Sequence, residues 1–350
     1  MLPSGVFAET YAEDTRLVRT GKQRLALGVF LLACLLLPAL AGPRLVAIAN
    51  VMLITAVVTV GLQITTGYSG QVNLGQAAFM GVGSYATAVA ATRVGLPFWL
   101  AVPVGGVAAA VFGFVFGLSA IRLKGFYLAL TPIAAQFVFH FSVLNLPKSW
   151  LGASNGITLE PMTLGGRRIG TDTGIYYVLL TACVVMVAGA FGIIRSRHGR
   201  AFVAVRDDDV AAGMMGINVV YTKALAFLVG AFFAGIGGGL WAYYLRFVSV
   251  EQFSLFFSIW YVGMIIVGGM GSIVGALVGV FVIRSVQEAL TTLGPELAEW
   301  LPALGGAVVF AGMNVLLGGI IAFFLIVEPK GLMHRWNILK ASYRLWPFPY

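Results

Sequence analysis

The chain has 350 residues and a formal net charge of +9, with 59% hydrophobic and only 10% charged residues. Soluble globular proteins average about 25% charged residues, so this composition excludes a protein whose whole surface faces water. Apolar runs of about 20 residues recur along the chain, and each can cross a hydrocarbon core of about 30 Å. The sequence therefore predicts an all-α polytopic membrane protein. The positive charge indicates membrane orientation rather than a nucleic-acid partner, because Lys and Arg collect in cytoplasmic loops.

About ten transmembrane helices are predicted, some of them short or broken. They lie near Leu25–Ala41, Leu45–Thr65, Leu74–Ala91, Phe98–Ile121, Tyr127–Leu144, Ile175–Ile194, Lys223–Leu245, Ser258–Gly268, Ser272–Glu288 and Leu304–Val327. The first run ends in a signal-peptide-like ALA triplet, but a long segment precedes it, so we interpret it as an uncleaved helix. The two short runs around GGMGS are either two spans or one span with a re-entrant piece.

The basic residues predict the orientation of these spans. Fifteen of the 22 Lys and Arg fall on one side of the membrane: Arg16, Arg19, Lys22, Arg24, Arg122, Lys124, Arg195, Arg197, Arg200, Arg206, Lys223, Lys330, Arg335, Lys340 and Arg344. The positive-inside rule makes this side cytoplasmic. We therefore expect an even number of crossings and both termini in the cytoplasm. The predicted organisation is a cytoplasmic segment 1–24, a transmembrane domain 25–328 with an exterior loop 146–173 and a cytoplasmic segment 195–222, and a cytoplasmic tail 329–350.

No pattern of catalytic or metal-binding residues is recognisable. The histidines at 140, 198 and 334 are far apart and lack ligand-spaced partners, and the Gly21-Lys22 pair lacks the rest of a phosphate-binding loop. The apolar runs contain almost no ionisable residues. Arg246, Arg284 and Glu288 lie near predicted span ends, where snorkelling explains them. We therefore expect no catalytic residues, metal or cofactor in this chain, which disfavours a membrane enzyme and an ion-coupled carrier.

One polar stretch, GYSGQVNLGQAAFMGVGSY from Gly67 to Tyr85, interrupts an apolar run. Its glycines break a continuous helix, and irregular backbone at membrane depth survives only inside protein or beside a wet cavity. We predict that this stretch lines the translocation path through Ser69, Gln71, Asn73, Gln76, Ser84 and Tyr85. The alternative is that these side chains only join helices by hydrogen bonds.

A second unusual stretch is the charge-dense segment that begins RSRHGRAFVAVRDDDVAAGMMGIN, between two apolar runs. It predicts a short cytoplasmic helix with Asp207 as the N-cap, acidic residues in the first turn and a stop at Gly216 and Asn218. A helix this short is only marginally stable in water, and its narrow apolar face requires a partner. We expect it to dock in a protein groove through Arg206, Asp207, Asp208, Asp209, Val210, Ala211, Met214, Met215 and Gly216.

These two stretches, together with VGGMGSIVGALVGV and the terminal VEPKGL, resemble the LivM-type permease subunits of ABC importers for branched-chain amino acids. The resemblance covers most of the chain. It implies an inner-membrane complex of this chain, a second, LivH-like permease, two ATPase subunits that carry ATP and Mg, and an extracytoplasmic solute-binding protein. It also implies that the segment around Asp207 to Gly216 is the coupling helix that docks on an ATPase. The acidic run RDDD differs in detail from the family pattern.

The resemblance identifies the type of transporter better than its cargo. Permeases for urea, short amides and small carboxylates share the same general pattern, so they remain alternatives to a branched-chain amino-acid permease. An ion-coupled secondary carrier is the alternative from another class, and it requires intramembrane acids that the sequence does not show.

Overall fold

The computed structural model describes residues 21–120, 126–147, 151–152, 155–164, 167–300 and 305–345. The N-terminal basic residues at 16 and 19 and the predicted loop residues Arg122 and Lys124 lie outside these ranges. The helices are α1 Gly21–Leu40, α2 Pro43–Leu62 with a π-helical turn Gln63–Tyr68, α3 Gln76–Thr92, α4 Phe98–Ala120, α5 Phe126–Asn145, α6 Asp172–Arg195, α7 Arg197–Asp207, α8 Asp209–Met214, α9 Val219–Leu245, α10 Leu255–Gly268, α11 Ile273–Trp300, α12 Gly305–Val327 and α13 Leu332–Leu345.

All ten predicted apolar runs are helices, which confirms the fold class. Among the described residues, seven helical segments are long and apolar enough to cross a membrane: Gln23–Leu40, Pro43–Tyr68, Phe98–Leu118, Asp172–Arg195, Val219–Leu245, Val250–Gly268 and Ile273–Leu293. The remaining predicted runs correspond to α3, with 17 residues, and to the apolar stretches Leu130–Asn145 and Gly318–Val327. The chain thus passes along the bundle ten times within the described residues.

The bundle has two distinct ends, which we name by what they carry. One end, called the coupling end after the coupling helix predicted in this region, carries α7 and α8, the turn between α10 and α11, and α13. The loop end carries four short strands, β1 Ile157–Thr158, β2 Met162–Leu164, β3 Arg167–Ile169 and β4 Phe247–Val248. These strands form two antiparallel pairs, β1 with β4 and β2 with β3. The predicted exterior loop 146–173 therefore joins α9 at the loop end by strand pairing.

Helix α9 forms the centre of the bundle and packs against α2, α3 and α4. Its glycines allow this close packing. A Cβ at Gly238 would lie 2.0 Å from the carbonyl oxygen of Met80, and a Cβ at Gly83 would lie 2.2 Å from the Cα of Gly235. Small residues let helix backbones approach in lipid, where dispersion contacts replace the hydrophobic effect as the packing force.

Helices α10 and α11 form an antiparallel pair joined by a tight turn at residues 269–272. Gly269 has a φ of +117° and Gly271 a φ of +81°, which are conformations that favour glycine. A Cβ at Gly279 would lie 1.9 Å from the carbonyl oxygen of Met264, so the glycine face of α11 packs directly on α10. The two short runs around GGMGS are therefore two separate helices, and α11 extends to Trp300, well beyond the predicted end at Glu288.

Candidate functional site

The polar break follows the end of α2. The helix widens into a π-turn at Gln63–Tyr68, and Gly70 adopts a φ of +70°. Residues 69–75 then run without helical structure until α3 begins at Gln76. Because the Gln76 amide donates to the carbonyl oxygen of Val58 over 2.8 Å, α3 begins level with the interior of α2 rather than at its end. The helix is broken as the glycine pattern predicted.

The polar side chains of the break are buried. Asn73 donates to the Gln76 Oε1 over 2.9 Å and accepts from the backbone N–H of Gly75 over 3.0 Å. The Gln71 amide donates to the Ser69 hydroxyl over 2.7 Å and to the carbonyl oxygen of Lys223 over 3.2 Å. Protein groups therefore hold this irregular backbone in one conformation, as burial at membrane depth requires.

Two hydroxyls farther along α3 have a different environment. Ser84 is 0% exposed and Tyr85 3% exposed. Neither the Ser84 Oγ nor the Tyr85 Oη has a hydrogen-bond partner among the described residues. Buried polar groups in proteins almost always have a partner, which is protein or water. Of the predicted path residues, Ser69, Gln71, Asn73 and Gln76 thus bind other protein groups, whereas the Gln71 Oε1 and the hydroxyls of Ser84 and Tyr85 have no protein partner among the described residues.

The predicted coupling segment consists of α7, which buries Phe202 and Val205 against the bundle, and α8, which is mostly exposed. The structure corrects the predicted N-cap, because Asp208 rather than Asp207 caps α8. The Asp208 Oδ1 accepts from the backbone N–H groups of Val210 and Ala211, each over 2.9 Å. Asp207 is instead the last residue of α7 and pairs with Arg206 over 2.8 Å. Helix α7 continues to Asp207, the first residue of the acidic run, which moves the start of α8 one residue along the chain.

The end of α8 also differs in part from the prediction. Gly216, with a φ of +83°, follows the helix as expected for a glycine stop. Asn218 has another role, since its side chain accepts from the backbone N–H of Tyr221 and caps α9. The chain therefore turns at Gly216, and the next span, α9, starts directly after Asn218.

The apolar face of α8 is open. Val210 is 59% exposed, Met214 85% and Met215 84%, whereas Ala212 on the opposite face is buried against the bundle. Val210 and Met214 lie one turn apart on α8 and Met215 directly follows the helix. Three large apolar side chains exposed together are an unusual surface for a soluble loop. Flexible methionines are common on surfaces that bind other proteins.

Two contacts connect the coupling segment to the break. Arg206 Nη1 donates to the carbonyl oxygen of Gly67 over 3.1 Å. Lys223 forms an ion pair with Asp209 over 3.0 Å, and its backbone carbonyl accepts from Gln71. Sequence reasoning missed Lys223 because its partners are distant along the chain.

The structure also corrects the interpretation of Arg284. This residue lies 11 positions into α11, about 17 Å along the helix axis, in the middle of the span Ile273–Leu293. Its Nη2 donates to the Thr55 hydroxyl over 2.9 Å and its Nη1 to Gln287 over 3.0 Å. Snorkelling to a span end does not describe a guanidinium at this depth. The sequence did not show it because α11 was predicted to be much shorter.

Comparison with known proteins identifies the family to which the chain is similar. Residues 44–326 match the family model for the branched-chain amino acid transport system / permease component. The chain is 29% identical to the high-affinity branched-chain amino acid transport system permease protein LivM of Escherichia coli, over 90% of this chain and 76% of that protein. It is 24% identical to the LivH permease of Salmonella typhimurium, over 82% of this chain and 93% of LivH.

A shorter similarity extends to another importer. The autoinducer 2 import system permease protein LsrC of Enterobacter is 26% identical over 45% of each chain. No solved structure matches this chain. Since the family model spans nearly all the described helices, including the break and the coupling segment, the chain belongs to the permease component family of branched-chain amino acid transport systems.

Proposed function

We propose that this chain is the membrane-spanning permease subunit of an ATP-driven importer, and that it moves branched-chain or related amino acids into the cytoplasm. The observation that carries the proposal is the family match over residues 44–326 on a bundle with a buried helix break. The relatives LivM and LivH are both named as permease proteins of high-affinity branched-chain amino acid transport systems. Urea, short amides and small carboxylates are the alternative cargoes.

The exposed face of α8 is the proposed docking surface for an ATPase subunit. Val210, Met214 and Met215 are apolar and exposed, and Asp208 fixes the helix that presents them. Burying an apolar side chain of this size contributes about 1.5–3 kcal/mol. ATP and Mg would bind to the partner ATPases rather than to this chain. The LivH-like relative supports a second permease as a further partner, and an extracytoplasmic solute-binding protein would deliver the cargo.

The coupling end faces the cytoplasm in this proposal. The described basic residues Arg195, Arg197, Arg200 and Arg206 lie on or beside α7, at the coupling end. The positive-inside rule favours this orientation in a plasma membrane. With ten passages along the bundle, both ends of the chain then lie in the cytoplasm.

The break is the proposed contribution of this chain to the translocation path. Ser69, Gln71, Asn73 and Gln76 hold the irregular backbone in place. The hydroxyls of Ser84 and Tyr85 lack protein partners among the described residues and would meet water or solute. Because Arg206 contacts Gly67, a shift of the coupling segment would reach the break directly.

Uptake in reconstituted vesicles tests the proposal. The chain would be co-expressed with a candidate second permease and candidate ATPases, purified as a complex, and placed in vesicles with external binding protein and radiolabelled leucine. Uptake that requires ATP on the ATPase side, and that ion gradients cannot replace, supports it. Uptake driven by an ion gradient without ATP contradicts it. Competition by urea, acetamide and small carboxylates identifies the cargo.

A further inference from the structure

A cavity of about 330 Å³ opens between α2, α9 and α11 in the half of the bundle toward the loop end. It extends from Arg44, near the start of α2, to Arg284 in the middle of α11. Its lining is Arg44, Ala47, Ile48, Val51, Tyr244, Arg284, Gln287, Glu288 and Thr291. The volume lies in the range of small-molecule pockets, about 300–1,000 Å³.

Arg284 is a cation without an anionic partner at this depth. Its hydrogen bonds go to the neutral Thr55 and Gln287, and no carboxylate among the described residues lies within ion-pair distance of it. Its Nε is inaccessible to solvent and has no acceptor among those residues. A charge inside a membrane span is costly, and such residues usually mark a solute or ion pathway. A carboxylate supplied by a ligand would provide the missing counter-charge.

Glu288 supplies the opposite charge one helical turn away. Residues four positions apart share one helix face, so Arg284 and Glu288 both border the cavity. Arg44 donates from Nε and Nη2 to the Glu288 Oε1, and the nearer of these bonds is 2.9 Å. The Glu288 Oε2 accepts no hydrogen bond from the described residues and remains available to a further donor. An ammonium group is a suitable donor for that oxygen.

The remaining wall of the cavity is aliphatic on the α2 side. Ala47, Ile48 and Val51 form consecutive turns of α2 along the cavity. The cavity thus presents a cation, an anion one turn away and an apolar wall. We propose that it is a subsite for a zwitterionic aliphatic amino acid, with the carboxylate on Arg284, the ammonium on Glu288 and the side chain against Ala47, Ile48 and Val51. This inference rests on the proposed function, and it places a solute-binding site outside the helix break.

The chemistry of Arg284 also suits the phosphate of a lipid headgroup. A phosphatidylglycerol headgroup has no cation to bind the Glu288 carboxylate, whereas a phosphatidylethanolamine headgroup carries both a phosphate and an ammonium group. The amino acid is the better fit because its aliphatic side chain matches the wall of Ala47, Ile48 and Val51. The aliphatic wall also lies beside the two charged groups rather than beyond them. These differences define the probes of the experiment.

The experiment measures ligand binding to the purified complex in nanodiscs, without the solute-binding protein, by saturation-transfer NMR. The probes are leucine, 4-methylpentanoate, which lacks the ammonium, and isoamylamine, which lacks the carboxylate. Each is measured in nanodiscs of phosphatidylcholine alone and in nanodiscs that also contain phosphatidylglycerol or phosphatidylethanolamine. We expect leucine to bind saturably in all three, and Arg284→Gln to weaken leucine by at least about tenfold. Glu288→Gln should weaken leucine but not 4-methylpentanoate.

Two further variants control for folding. Arg246→Gln removes an arginine at the loop end that donates to Gly170 and lies outside the cavity lining, and it should leave leucine binding unchanged. Ala47→Phe fills the cavity and keeps Arg284, so it should abolish leucine binding even where Arg284→Gln fails to fold. Monodisperse gel filtration establishes that each variant is folded.

Three outcomes overturn the inference: no saturable leucine binding at millimolar concentration, binding that Ala47→Phe leaves intact, or binding competed away by phosphatidylglycerol or phosphatidylethanolamine. The uptake assay separates this result from the proposed function. ATP-driven uptake with no leucine binding in the cavity rejects the subsite alone. Leucine binding with no ATP-driven uptake supports the subsite and rejects the proposed function.

Discussion

Arg206 and Gly67 are 139 residues apart in sequence, and the Arg206 guanidinium donates to the Gly67 carbonyl oxygen over 3.1 Å. Arg206 lies in the last turn of α7, and Gly67 lies in the π-turn where α2 ends. The same side chain packs on Gly70, where a Cβ would come within 2.6 Å of the Arg206 Cγ. The coupling segment and the helix break are therefore in direct contact. A displacement of one is expected to move the other.

Arg206→Gln should reduce uptake several-fold without releasing the ATPases, because it removes the charge-assisted hydrogen bond to the break and leaves α8 intact. The measurement is uptake in vesicles together with co-purification of the ATPases. Arg197→Gln is the matched control, since Arg197 is exposed at the start of α7 and donates to the neighbouring His198. Equal uptake by both variants would show that the contact does not transmit coupling.

Gln76→Leu should lower the stability of the complex, whereas Ser84→Ala should lower uptake without lowering stability. The first leaves the buried Asn73 amide without its acceptor, which costs about 1–3 kcal/mol, so yield and thermal stability should fall. The second removes a hydroxyl that has no partner among the described residues, so stability should hold while uptake falls. Thermal unfolding and uptake of each purified complex measure both effects. Normal uptake by a stable Ser84→Ala variant would exclude that hydroxyl from the path.

Gly238→Ala should destabilise the bundle by about 1–3 kcal/mol or more, because the new Cβ would meet the carbonyl oxygen of Met80 at 2.0 Å. Gly189→Ala on α6 is the matched control, since nothing lies within 4 Å of its Cβ position. That change should be neutral or slightly stabilising, by up to about 1 kcal/mol. Thermal unfolding of the two purified variants compares them, and a similar loss in both would mean that α9 does not pack as described.

Single cysteines test the orientation. Ser342→Cys lies at an exposed position on α13, and Thr163→Cys lies in the exposed β2–β3 hairpin at the other end of the bundle. Cys34 and Cys183 would first be replaced by Ala. In intact cells an impermeant thiol reagent should label the hairpin cysteine and not the α13 cysteine. The reverse pattern would invert the proposed orientation.

Much of this fold could be predicted from the sequence, because helix length in a membrane follows from the length of an apolar run. The break at Gly67–Gly75 was recognisable for a related reason, since polar residues and glycines within such a run have few structural solutions. The cap of α8 was misplaced by one residue because Asp207 and Asp208 are chemically equivalent in sequence. Their roles differ only because Asp207 pairs with Arg206.

The contacts that assemble the site could not be predicted from one sequence. Lys223 joins Asp209 and Gln71, which come from different elements, so no local pattern indicates the cluster. The depth of Arg284 depends on where α11 ends, and polar residues after Glu288 hid the continuation of that helix to Trp300. Both are properties of the assembled bundle.

The most direct test of the account is ATPase association and uptake by Val210→Asp and Met214→Asp complexes. Each change places a charge on the exposed apolar face of α8, which would desolvate in an ATPase groove. Both should lose co-purifying ATPase, or retain ATP hydrolysis without uptake, at normal membrane insertion. Val94→Asp, an exposed valine in the α3–α4 turn at the loop end, should behave as the wild type. Normal ATPase association and normal uptake by both α8 variants would show that the segment is a solvated loop and not a coupling helix.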